Sequence, residues 1–147
     1  MVRAERGPVS DDRAALLVLA DVARWEEHEL GGCADNEELE RAIAAVLLER
    51  DHDLAEPLPV RVCGRATDLA LHVLAGACPI ANPSGPAPWR WRGACDEVEL
   101  VGFLAEGAAG RLTHHGRRSH LHAVTDEAMG HLDEVALERA VLLLPVR

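Results

Sequence analysis

The sequence predicts an α+β domain in which two N-terminal helices pack on a mainly antiparallel sheet. Two features carry that expectation. Between Ser10 and Arg50 apolar residues recur every three or four positions behind residues suited to capping helices. Beyond Pro57 the pattern becomes alternation with a period of two, broken by glycine and proline. Helices followed by strands, rather than strictly alternating with them, suit an antiparallel sheet with helices on one face.

The elements follow in order. Ser10 is placed to cap a first helix, with Asp11 and Asp12 in its first turn and Leu16, Leu17, Ala20 and Ala23 on one stripe, until Gly31-Gly32 stop it. Near its end Trp25 is expected to dock on the sheet, while Glu26, Glu27 and His28 are either solvated or reach toward a site. Asp35 and Glu38 form a capping box for a second helix, whose stripe Leu39, Ala42, Ile43, Val46 and Leu47 runs up to Arg50. Val60 to Cys63 alternates, and Ala66 to Leu74 is compatible with a strand beyond Gly64. Pro79 to Pro88 reads as a loop. Trp89 and Trp91, two apart, share a strand face and suit a core contact, an oligomer contact or the wall of a ligand site. Glu97 to Ala105 is the clearest strand, Gly107 to Gly110 turns it, and Arg118 to Val124 is a short strand. Leu132 to Val146 fits either a helix over Asp133 to Arg139 or a closing strand, which Val141 to Leu144 before Pro145 suits.

Residues 1–147 are expected to form one domain, a length at which roughly two thirds of the unfolded surface is buried. The formal charge of -10 argues against nucleic acid and anionic membranes as partners, because both are held by clustered cations. All the basic residues are arginine, which removes Schiff-base catalysis by lysine. Cys33, Cys63, Cys78 and Cys95 contain no CxxC pair and read as reduced thiols. Asp11 and Asp12 stand where a signal peptide needs cations, so the expected location is cytoplasmic. No apolar run approaches the ~20 residues of a membrane span.

Chemistry concentrates in one stretch. Of the eight histidines, His114, His115, His120, His122 and His131 lie within it. His120 and His122 are two apart on a strand and leave the same face. The polar segment Thr125 to Gly130 can turn the chain, so His131 opens the next strand beside them. Three neutral imidazoles with an open fourth position describe a catalytic Zn2+ site, and Ni2+, Fe2+ or Mn2+ would also accept it. Two other readings compete. Histidines also gather on surfaces or in cores without a metal. A cupin offers HxH followed by a glutamate, which His120, His122 and Glu127 satisfy, but it needs a second Gly/Pro/His strand motif further on.

These residues carry a resemblance. Leu100-Val101-Gly102-Phe103, then Gly116 ahead of His120-Leu121-His122, then Gly130-His131-Leu132-Asp133 running into Leu143-Leu144-Pro145, resembles the C-terminal core of α-acetolactate decarboxylases. Pro59-Val60-Arg61-Val62-Cys63-Gly64 is similar to the family's strand ahead of its active-site arginine. The likeness spans about residues 57–147, and the HxH…GH part recurs in the PPC domain (named for plants and prokaryotes), which is similar in fold. It implies a partly barrel-like sheet and makes His120, His122 and His131 the metal ligands. It puts the family arginine near His72, leaving Arg65 as a substitute candidate. The family's two glutamates find no matching position here.

The implied activity is that of a carbon-carbon lyase decarboxylating a small 2-hydroxy-3-oxo or β-keto acid, or otherwise passing through an enediolate. Such chemistry needs an electron sink, which a divalent metal supplies, and a proton donor. Glu127, His115 or a carboxylate of the first helix are candidates for the donor. Arg65 or Arg117 could steer the anionic substrate, helped by Arg111 and Arg118, and His72 would bind it. The alternative is a non-enzymatic PPC-like module whose metal is structural and which assembles or binds a partner. A homo-oligomer, dimer or trimer, is expected, because Trp89, Trp91 and an exposed sheet edge are much for a small acidic domain to cover alone.

Overall fold

The computed structural model describes residues 20–74, 87–113 and 116–146. Among them are one helix and five strands: β1 (Trp25–Cys33), α1 (Asn36–Glu49), β2 (Leu58–Val73), β3 (Trp89–Leu104), β4 (Ser119–Val124) and β5 (Met129–Pro145). All strand pairs are antiparallel, in the order β1-β5-β2-β3-β4, and β4 pairs with β5 as well. The strands β2, β3, β4 and β5 therefore close a ring, the partly barrel-like form expected from the sequence, and β1 extends it along β5.

The expected first helix is corrected over its second half. Residues 10–19 lie outside the described residues, but Trp25–Cys33 is strand. Its cause lies in β5, which is 17 residues long and has two edges to satisfy. β2 covers one edge from His131 to Leu143, whereas β4 covers the other only from Met129 to His131. β1 takes the remainder, pairing Trp25 with Pro145 and continuing to Cys33 opposite Leu137. Trp25 lies under the Arg61 guanidinium at 5.4 Å, and Glu26 bonds Arg50 rather than any site residue.

The second helix forms where the capping box placed it. Asp35 accepts from the Glu38 amide at 2.8 Å, and the Glu38 carboxylate reaches back to the Ala34 amide. Leu39, Ile43 and Leu47 are buried on one face and join the core. That core also takes Val60, Val62, Leu69 and Leu71 of β2, Val98, Leu100 and Leu104 of β3, Leu121 and Ala123 of β4, and Leu142 and Leu144 of β5. The alternation read over 97–105 thus marks one long strand that includes both tryptophans. Trp91 packs against the core and Trp89 is exposed. The ambiguous tail is strand throughout, since Val135, Leu137, Ala140 and Leu142 point inward between bulges. Gly107 and Gly110 turn the chain after β3 with φ of 69° and 75°. Most of the expected loop at 79–88, with Cys78, lies outside the described residues. No helix of the described residues is long and apolar enough to cross a membrane.

Candidate metal centre

β4 and β5 form a short hairpin whose ladder has three pairs: Val124 with Met129, Ala123 with Gly130, and His122 with His131. Cross-strand partners share a face, and so do residues two apart on a strand, so His120, His122 and His131 emerge together on the outer side. Their ligand nitrogens all lie within 4.8 Å of one another. The rings form a continuous group: His120 lies 5.3 Å from His122 and 4.8 Å from His131, and His122 lies 5.0 Å from His131.

The hydrogen bonds around these rings fit a metal. His120 Nδ1 is 2.8 Å from the Leu112 carbonyl oxygen and His131 Nδ1 is 3.2 Å from that of Leu132. A carbonyl only accepts, so Nδ1 is the donor in both contacts, and a neutral ring bonded in this way would present the lone pair of Nε2, as metal-bound histidines do. His120 Nε2 and His122 Nε2 stand 3.3 Å apart. Two nitrogens bound to one Zn2+ at about 2.05 Å and a tetrahedral angle would be about 3.3 Å apart. The group could hold a metal ion with three protein ligands, leaving further positions to water or substrate.

A fourth imidazole joins from β2. His72 is the register partner of His131 and stacks on it at 5.1 Å with 10° between the rings. Its Nδ1 lies 2.7 Å from Asp133 Oδ1, and the other Asp133 oxygen accepts from Arg90 at 3.0 Å. Asp133 is the extra residue of a β5 bulge, because Leu132 pairs with Leu71 and Glu134 with Ala70. The bulge turns its carboxylate toward His72. His72, His131, Asp133, Arg117, Ser119 and Asn36 line a cavity of about 320 Å³ together with Leu121 and Leu132.

Other expected site residues are placed elsewhere. Arg65 lies seven residues before His72 on β2, roughly 20 Å away along the strand. Its guanidinium pairs with Asp96 at 3.0 Å and Glu138 at 2.8 Å. Glu127 is exposed in the hairpin turn, two ladder pairs beyond His122 and His131, with its amide bonded to Thr125 Oγ1. Its charge is felt at Cys95, whose thiol is pushed up by burial first and by Asp96 and Glu127 in addition. His115 lies outside the described residues. Arg90, Asn36 and Glu40 were not singled out from the sequence, and Asp133 was named as the end of the Gly130-His131-Leu132-Asp133 motif, without a role. A bulge and a helix-to-strand contact leave no periodic signature that would have found them.

Solved structures match this architecture. The alpha-acetolactate decarboxylase of Bacillus subtilis strain 168 superimposes with a TM-score of 0.62 at 15% identity, covering 83% of this chain and 52% of that one. A Staphylococcus aureus protein of unknown function similar to alpha-acetolactate decarboxylase gives 0.61 at 12% identity, covering 87% and 54%. The chain has the acetolactate decarboxylase fold. A plant- and prokaryote-conserved (PPC) protein of Pyrococcus horikoshii also matches, with a TM-score of 0.51 at 13% identity over 88% of this chain and 82% of that one. This chain spans about half the length of the decarboxylase-like structures it matches. No family model matches the sequence, and no curated protein matches it.

Proposed function

We propose that this acetolactate decarboxylase-like chain is a metal-dependent lyase acting on a small 2-hydroxy-3-oxo or β-keto acid. His120, His122 and His131 hold Zn2+ or another divalent transition ion such as Ni2+, Fe2+ or Mn2+. The observation that carries this reading is the convergence of the three ligand nitrogens within 4.8 Å beside a cavity that contains an arginine and a fourth imidazole. A divalent ion there supplies an electron sink for the carbon that loses its carboxylate.

The chain's own residues do the rest. Arg117 lines the cavity and attracts the carboxylate of an anionic substrate. His72 has Nδ1 committed to Asp133, which leaves Nε2 as the ring atom that meets the substrate. The carbon left after CO2 departs must take up a proton, and His72 is the imidazole the cavity offers for it, with His115 the other candidate. Leu121 and Leu132 limit water at the inner wall. The protein works as a homo-oligomer, which exposed Trp89 supports.

The test incubates metal-loaded protein with acetolactate and a panel of β-keto and 2-hydroxy acids, following CO2 release and product mass. Turnover that requires metal and releases CO2 is expected. Turnover without CO2 would keep the enzyme and reject decarboxylation. A second reading, a PPC-like oligomeric binding module with a structural metal, is favoured by coverage of 82% of the PPC chain against 52% of the decarboxylase. Metal-loaded protein that turns over none of these acids would select it.

A further inference from the structure

Three backbone pairs join the two strands that carry the histidines, and the last of them is His122 with His131. Beyond that pair the strands part, and the first turns of α1 occupy the opening. Asn36, the first residue of α1, grips β5: its Nδ2 donates to the Asp133 carbonyl at 3.0 Å, and its Oδ1 accepts from the Val135 amide at 2.8 Å. Glu40, four residues on and so on the same helix face, grips β4. Its carboxylate accepts from the Ser119 amide at 3.1 Å, the Ser119 hydroxyl at 2.5 Å and the Arg118 amide at 3.3 Å. The Glu40 side chain belongs to a residue only 6% exposed, and three donors converge on its carboxylate, the hydrogen bonding that a buried charge requires. One clamp point lies two residues after His131 and the other one residue before His120.

We infer that Asn36 and Glu40 are positioning residues for the histidine cluster: α1 sets the separation of β4 and β5 at their open end, and through it the distance between His120 and His131. This rests on the reading that the three histidines hold a metal. Packing alone does not require it, since Leu39, Ile43 and Leu47 already anchor the helix to the core.

The test uses the full chain and Co2+, whose visible spectrum reports ligand geometry, with dissociation constants from chelator competition and melting curves of metal-free protein. Glu40→Gln places an amide against an amide donor, and Asn36→Asp removes the donor to β5. Each is expected to weaken Co2+ binding about 10- to 100-fold, the usual range when a residue supporting a ligand is lost, and to alter the spectrum. Ile43→Val, which loosens α1 in the core but removes none of the hydrogen bonds made by Asn36 and Glu40, should lower the melting temperature and leave affinity and spectrum unchanged. Wild-type affinity and spectrum in folded Glu40→Gln and Asn36→Asp would overturn the inference. Should either fail to fold, Ser119→Ala removes one of the three donors to Glu40, and unchanged affinity in that variant would overturn it equally. Wild-type protein that binds no Co2+ would bring down the metal reading itself, and this inference with it.

Discussion

His122 of β4 and His131 of β5 face each other as the last pair of a three-pair ladder. The distance between these two proposed ligands is thereby tied to backbone register, because a slip of one residue would send one imidazole to the opposite face. Neither residue depends on a mobile loop for its direction.

Replacing one member of this pair should therefore abolish binding. Purified wild-type protein is expected to carry close to one divalent metal per chain by elemental analysis, and His122→Ala to carry almost none. Chelation of the wild type should lower its melting temperature, by about 4 kcal/mol of lost linkage if free metal stands about 1,000-fold above its dissociation constant. Equal metal in both proteins would remove the site.

Gly102 tests how closely β4 must lie on β3. A Cβ built there falls 1.9 Å from the His120 carbonyl oxygen and 2.9 Å from its carbon, both backbone atoms that can yield only if β4 retreats. Gly102→Ala should cost about 1–3 kcal/mol by overpacking and should also weaken metal binding, since the displaced residue is one of the three proposed ligands. Gly107→Ala is the comparison: nothing lies within 4 Å of that Cβ, and its φ of +69° brings only local strain. Urea midpoints and metal titrations of both variants separate the two effects. Identical metal affinity in Gly102→Ala and wild type would show that β4 has room the structure does not give it.

What could be read in advance was what short-range periodicity encodes. The i, i+2 spacing of His120 and His122, the capping box at Asp35 and Glu38, and the alternation of β3 each depend on neighbours in sequence. Trp25–Cys33 was misread because it becomes a strand only through the unfilled edge of β5, more than a hundred positions away in the chain. Arg65 was a substitute candidate because the motif position of the family arginine falls at His72, whereas Asp96 and Glu138 hold the Arg65 guanidinium elsewhere. Asp133 acquires its direction from a bulge, and Asn36 and Glu40 from contacts with strands far along the chain.

The thiols give stability a downward slope at alkaline pH. Burial pushes the Cys33 thiol up, with Glu38 and Asp35 adding to the rise, and burial does the same first of all at Cys63 and Cys95. In the unfolded chain a thiol ionises near 8.5, so between that value and the raised folded one the native state binds more protons than the unfolded state. The contribution is fully present below about pH 8.5 and is lost as pH rises through the folded value. Urea midpoints between pH 7 and 10 should fall above 8.5, and Cys33→Ala should show a shallower fall. Parallel slopes in the two proteins would assign the alkaline loss to other groups.

Anion capture offers a test of the cavity that separates Arg117 from Arg65. The chain's charge of -10 repels an anionic acid at long range, so its arrival depends on a local cation near the histidines. Arg117 lines the cavity with His72 and His131, and among the described residues no carboxylate forms an ion pair with it. Arg65 has two carboxylate partners and lies outside the cavity lining. Arg117→Ala should raise KM for an anionic substrate, or the dissociation constant of a small carboxylate inhibitor, by about tenfold, equivalent to about 1.4 kcal/mol. The Debye length shrinks from about 10 Å at 0.1 M to about 3 Å at 1 M, so the difference from wild type should narrow with added salt. Arg65→Ala should leave both constants unchanged and cost at most about 1 kcal/mol of stability, since both of its ion pairs are exposed. If Arg65→Ala raised KM and Arg117→Ala did not, the anion would enter from the Cys63 and Arg139 side of the sheet, and the cavity beside His131 would not be the substrate site.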